Sequence, residues 1–461
     1  MNHEIIEKEL GDCLELVIDH RGKTPKKLGA DWIQAGIPTI SAKNVNGGRL
    51  VSTDSIRHVS FDIYKKWMKV DVKREDCFLV SEGATLGECM LWDYDHPIVL
   101  GQRIFCLRAN PAILYPRYLY AYMTSNGFQS EIIGRATGTS VDGLRQTEVL
   151  KLKIKLPPLN QQRQIGDVLY YLNKKIELNR QMNATLEAMA RALFQSWFVD
   201  FDPVRAKLDG GNPAGLGKDT ADLFPKHFQA SVVGPIPHGW RVGVLNDLTE
   251  LVIGGDWGST EPTDDETLPT LCIRGADIPS LQEGGIGKMP TRFLKPSSLE
   301  KRRLVSGDLA VEISGGSPTQ STGRPVLVSE VMIERLEYPL VCSNFCRVLK
   351  LKASATSKFA YLWLRRLYDG GEFFQFENGT TGIKNLAFTL FAGKYPMVIP
   401  PLELCEAFDR AVSPLFQRHQ KNGIQSRTLA ALRDALLPKL LSGEISVFSS
   451  DAVQKKTRIQ V

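Results

Sequence analysis

The chain repeats itself, and this repetition limits its possible folds more than any other feature. Glu15-Leu16-Val17-Ile18 recurs unchanged as Glu250-Leu251-Val252-Ile253, 235 positions further on. Ile37-Pro38-Thr39-Ile40 is echoed by Leu268-Pro269-Thr270-Leu271, and Gly138-Thr139-Ser140 by Gly379-Thr380-Thr381. Leu156-Pro157-Pro158-Leu159 is echoed by Ile399-Pro400-Pro401-Leu402 at an offset of 243. Four echoes in one order, with an offset that drifts as loop insertions would make it drift, describe two related halves.

Each Pro-Pro-Leu opens a long segment with helical periodicity. In the first, Ile165, Leu169, Leu172, Ile176, Asn179, Met182, Leu186, Met189, Leu193 and Trp197 recur every three or four residues, a heptad-like seam. The second carries Phe408, Val412, Leu415, His419, Asn422, Gln425, Leu429, Leu432, Leu436 and Leu440 at the matching positions. Each segment is long enough for a helix of about 38 residues, or ~57 Å. Two such seams are better used by pairing with each other than by packing each on its own half. The pairing is antiparallel if a pseudo-twofold axis relates the halves. Asn179 and Asn422 then either fix the register or sit at a solvated boundary. Pro414 predicts a kink, and Gly423 weakens the second helix.

The globular halves read as mixed strand and helix. Short β-like runs such as Cys77–Val80 and Leu309–Ile313 lie between Gly- and Pro-marked turns, and amphipathic helices follow at Pro116–Thr124 and Ser357–Tyr368. The Gly-, Pro- and Asp-rich stretch from about 198 to 239 reads as an extended surface linker. At 461 residues the chain is too long for one ordinary domain. No apolar run approaches the ~18–20 residues of a membrane helix, and Met1–Glu7 lacks a signal peptide's basic head. A cytoplasmic protein is expected. The eight cysteines are scattered and read as buried free thiols, with no metal site. A net charge of +6 permits a nucleic-acid partner without demanding one.

Signs of catalysis are missing. Gly211–Asp219 fails as a phosphate loop, because Asn212 replaces the first glycine and Asp219 the metal-binding hydroxyl. Neither Pro-Pro pair carries the Asn/Asp-Pro-Pro-aromatic signature of amino-methyltransferases, and the seven histidines are far apart. The chain reads as a binding protein.

The helix starts make a resemblance specific. Pro157-Pro158-Leu159-Asn160-Gln161-Gln162-Arg163-Gln164-Ile165 resembles a helix start in the specificity (S) subunits of type I restriction–modification systems. Ala192–Val204, Gly234–Trp240 and Leu441–Ile445 resemble other segments of that family. Two departures, Glu403-Leu404-Cys405 and Pro414, fall in the second copy. The resemblance implies an α+β fold with two tandem, pseudo-symmetric α/β target-recognition domains, separated by two long helices paired as an antiparallel coiled coil. The implied segments are a first recognition domain at 1–158, a central helix at 159–199 and a linker at 200–239. A second recognition domain at 240–401, a second helix at 402–445 and a tail at 446–461 follow.

The resemblance further implies a non-catalytic subunit of a phage-defence complex. Each domain would read half of a bipartite sequence in double-stranded DNA, while the helices set the spacer and dock two modification subunits. Those subunits would carry S-adenosylmethionine and methylate adenine N6. Two restriction subunits would use ATP and Mg²⁺, and this chain would bind no cofactor, metal or membrane. The alternatives are a coiled-coil protein-interaction scaffold without sequence-specific DNA binding, and a self-sufficient methyltransferase with degenerate motifs.

Candidate DNA contacts are long donors near turns, since arginine can fork to guanine and asparagine to adenine. In the first half they are Lys26, Lys43, Asn44, Arg49, Arg57, Arg103 and Arg145, with the loop residues Thr137, Thr139 and Ser140. In the second they are Arg274, Lys288, Arg292, Arg302, Arg303, Arg324, Asn344 and Lys384, with Thr380 and Thr381.

Overall fold

A computed structural model describes residues 5–137, 142–317, 319–379 and 383–446. The chain forms two compact units, one of Met1–Lys175 with Leu429–Val461 and one of Ile176–Thr428. In the first, strands Leu14–Asp19, Ile104–Ala109, Cys77–Val80 and Cys89–Leu91 form a four-stranded antiparallel sheet in that spatial order. Its inner strands are buried along their whole length, because both faces are covered. Alternate side chains point to opposite sides. Cys77, Leu79, Phe105 and Leu107 join one core with helix Pro116–Met123, while Phe78, Val80, Ile104 and Cys106 join another around Trp67 and Trp92. A second ladder places Ile37–Ile40 between antiparallel Arg57–Val59 and parallel Val99–Leu100.

The second unit repeats this plan. Thr249–Gly254, Cys346–Leu351, Leu309–Glu312 and Pro325–Leu327 form a sheet in the same order, and Leu268–Ile273 lies between antiparallel Thr291–Leu294 and parallel Leu340–Cys342. The echoed Glu-Leu-Val-Ile marks one shared irregularity: the ladder skips Glu15 in one sheet and Glu250 in the other, a bulge that bends the outer strand. A buried ion pair also recurs. Arg108 grips Asp76 at 2.7 and 2.8 Å, and Lys350 reaches Asp308 at 3.0 Å. Each aspartate also accepts a backbone N–H three residues upstream, from Lys73 and Val305, so neither carboxylate is buried without partners. All eight cysteines are buried free thiols.

The two long helices are Leu159–Phe198, of 40 residues, and Leu402–Ser442, of 41. They pair antiparallel within each unit. In the first, Ile165, Leu169 and Leu172 pack with Leu436, Leu437 and Leu440, and Arg433 donates to Asn173 Oδ1 at 2.8 Å. In the second, Asn179 is fully buried and its Nδ2 donates to Gln425 Oε1 at 2.9 Å, Ser426 Oγ at 3.3 Å and Asn422 O at 3.4 Å. Asn422 donates to Asn183 Oδ1 at 2.9 Å, and Asn183 to His419 O at 3.1 Å. The pair is therefore buried in the helix contact rather than meeting solvent.

Several expectations need correction. Phe408 and Val412 are fully buried, and Ile176, Leu186, Leu193, Leu415 and Leu429 are half-buried, but Leu432 and Met189 face solvent. A strict heptad drifts by ~20° per repeat around a straight helix, so Arg433 and Ala190 stand at the contact instead. Helix 402–442 continues through Pro414, so the proline does not end it. Gly423 is not a mere weak point: a Cβ there would lie 2.2 Å from Glu283 O, so the glycine admits a loop against the helix. The stretch after 198 is not an extended surface linker. It forms helices Asp202–Leu208 and Lys218–Asp222, and it buries Phe201, Val204, Phe224 and Ile236 in an aromatic core with Trp197, Phe198, Trp240 and Phe408.

The helix starts differ for a physical reason. Gln162, only 1 % exposed, accepts from Tyr115 N–H at 2.9 Å and donates to Ile113 O and Pro157 O at 3.1 and 2.8 Å. It thus ties the first helix to its own half. Cys405 occupies the matching place in the second copy and is packed in the apolar core, where burial pushes its thiol up to about 12.

Candidate nucleic-acid interface

The second ladder of each half carries an arginine over a tryptophan. Thr39 pairs with Arg57 across the first ladder, and the Arg57 guanidinium lies 4.0 Å from the Trp32 ring centroid. Thr270 pairs with Arg292 in the second, and Arg292 lies 3.9 Å from Trp257. In both halves the segment after the tryptophan is zipped to the residue after the arginine: Ile33 N–H to His58 O, and Ser259 with Phe293 in both directions. Sequence reasoning named the two arginines but missed the tryptophans. The signal was present in Asp31-Trp32 and Asp256-Trp257, a two-residue echo too short to stand out alone.

Around Arg57 the first half opens a cleft of about 640 Å³ lined by Lys23, Lys43, Arg103, Thr39, Trp67 and Glu82, among others. It is a basic recess: Lys23 donates to Trp67 O at 2.9 Å, Lys43 to Ser55 O at 3.1 Å, and only Arg103 meets the acid, Glu82, at 3.0 Å. Arg103 also sits at φ +61°, a left-handed conformation uncommon for a bulky residue. Thr39 Oγ1 and Trp67 Nε1 are buried there without a hydrogen-bond partner among the described residues.

Other expected contacts are used internally. Asn44 is fully buried, and its amide is taken up by Ser41 N and Oγ at 3.2 and 3.0 Å and by the carbonyls of Val51 and Ser52. It caps a turn and cannot reach a base. Asp277 does the same job in the second half, accepting from Arg274 N at 3.1 Å and from the Arg274 guanidinium at 2.8 and 3.1 Å. Burial alone would raise the Asp277 carboxyl, but Arg274 and the Lys288 and Arg274 N–H groups hold it below its ordinary value. Arg302 donates to Gly254 O and Ser298 Oγ, and Arg324 to the Tyr368 hydroxyl. Lys384 pairs with Glu377 at 2.9 Å.

Lys26, Arg49, Thr137, Arg145, Lys288, Arg303 and Asn344 are exposed, on separate turns and strand ends. Thr139, Ser140, Thr380 and Thr381 lie outside the described residues. Among the described residues no helix is long and apolar enough to cross a membrane.

Residues 2–188 match a family model described as type I restriction modification DNA specificity domain. The chain is 24 % identical over 388 residues to the type I restriction enzyme HindI specificity subunit of Haemophilus influenzae, covering 75 % of this chain and 81 % of that protein. It is also 24 % identical over 439 residues to the MjaIX specificity subunit of Methanocaldococcus jannaschii, covering 92 % and 90 %. The crystal structure of a type I restriction-modification S subunit from M. genitalium matches 95 % of this chain and 96 % of its own with a TM-score of 0.58 at 15 % identity, a likeness of fold. With its doubled architecture and its antiparallel helix pair, the chain is similar to the specificity subunits of type I restriction–modification systems, and its residues 2–188 match their DNA specificity domain.

Proposed function

We propose that each half reads one part of a bipartite, asymmetric sequence in duplex DNA, and that the paired helices set the unread spacer and dock two modification subunits. The observation that carries this reading is the recurrence, in both halves, of one strand order and one arginine–tryptophan station under otherwise different surface side chains. A shared scaffold with divergent contact residues is what two independent readers of different half-sites require. The chain itself does no chemistry in this account. S-adenosylmethionine and adenine N6 methylation belong to the modification subunits, and ATP with Mg²⁺ to two restriction subunits.

The test is single-molecule methylome sequencing of a methylation-free host carrying this chain with its cognate modification subunit. A bipartite N6-methyladenine motif that vanishes when the chain is omitted is expected. A soluble complex that leaves no motif contradicts the reading and favours a protein scaffold. Binding by the purified complex should also weaken linearly in log–log terms as salt rises, with a slope of about −0.9 per phosphate neutralised. Salt-insensitive binding would count against DNA as the ligand.

A further inference from the structure

Two arginines at matching ladder positions, each laid over a tryptophan and each zipped to its strand in the same way, are more than a shared packing device. The Arg57 side chain makes no hydrogen bond or ion pair among the described residues, so its N–H donors are available while its guanidinium lies 4.0 Å from the Trp32 ring centroid. Arg292 uses Nη1 on Thr260 Oγ1 at 2.6 Å, and its Nε is buried without a partner, which leaves the Nη2 donors free. A guanidinium stacked on an indole loses little further freedom when it forms a planar pair of hydrogen bonds. Beside Arg57, the unpartnered Thr39 Oγ1 and Trp67 Nε1 line the same basic cleft.

We propose that Arg57 and Arg292 are the specificity-determining residues of their respective halves, Arg57 forking to O6 and N7 on the major-groove edge of one guanine and Arg292 donating through Nη2 to an acceptor on the same edge of another, while Trp32 and Trp257 hold them in place. The proposal rests on the half-site reading above. The bidentate match is the commonest specific arginine contact, and lysine cannot reproduce it.

The experiment is methylome sequencing with the full complex and four variants: R57K, R292K, W32L and W257L. R57K should relax one G·C position in one half of the motif, with discrimination there falling by roughly ten- to a hundred-fold, and leave the other half unchanged. R292K should relax one position in the opposite half. Each tryptophan variant should relax the same position as its arginine, to a lesser degree. If methylation weakens uniformly with no position relaxed, the arginines contact phosphate and the proposal fails. An unchanged motif makes the stacks structural only and also overturns it. A wild-type complex with no motif sinks the half-site reading itself, an outcome distinct from a normal motif that R57K leaves intact.

Discussion

Asn179 and Glu312 show how single polar residues act in opposite senses within one unit. Asn179 places one donor among three acceptors on the facing helix, while its own Oδ1 is buried without a partner. Asn179→Ala should cost about 1–3 kcal/mol in chemical unfolding, whereas no loss would mean that the apolar contacts alone set the register. Glu312 is buried with one oxygen unpartnered. That burial raises its carboxyl above the ordinary range against the pull of Arg324. The folded chain therefore holds this proton more tightly than the unfolded chain. Its contribution is complete below the unfolded carboxylate value and is lost as pH rises through the folded one. Glu312→Gln should raise the unfolding temperature at pH 7 and leave it nearly unchanged at pH 4. An equal shift at both pH values would contradict this cause. Residue type alone revealed little at this scale: Asn44 has the right chemistry to read adenine, yet four internal hydrogen bonds consume it.

At the scale of elements, the helices were the most legible part of the chain, because Pro-Pro-Leu starts and a three-to-four spacing are local signals. Leu432 and Met189 were misplaced, since a straight helix does not hold a heptad seam for 40 residues. The segment 200–239 misled for a different reason: its Gly and Pro content suggests a linker, and only tertiary packing shows that Phe201 and Phe224 are core. Gly423 separates propensity from packing most cleanly. Alanine is the better helix former by about 1 kcal/mol, but its Cβ would meet Glu283 O at 2.2 Å. Gly423→Ala should therefore destabilise the protein by about 1–3 kcal/mol, read as a lowered unfolding temperature. A stabilised variant would show that the 283–284 loop moves aside freely. Gly166 offers a second case, with Tyr118 N only 2.7 Å from its would-be Cβ.

Over the whole molecule, repetition carried the reading from sequence to function. The echoed Glu15–Ile18 and Ile37–Ile40 segments proved to lie on equivalent strands in the two halves, and the bulges at Glu15 and Glu250 are the same bend made twice. The candidate contact side chains were less legible, because turn positions acquire meaning only when separate segments close around them, as Trp32 does over Arg57. The doubled plan predicts modular recognition. Deleting one heptad from the 165–193 helix segment should change the spacer or abolish recognition, and an unchanged spacer in the methylome would remove the helices from that role. The most direct measurement replaces residues 1–156 with the corresponding half of a family member of different specificity and sequences the methylome of a methylation-free host. One half of the bipartite motif should change while the other half stays as it was. If both halves change together, or neither does, the chain does not read DNA as two independent halves.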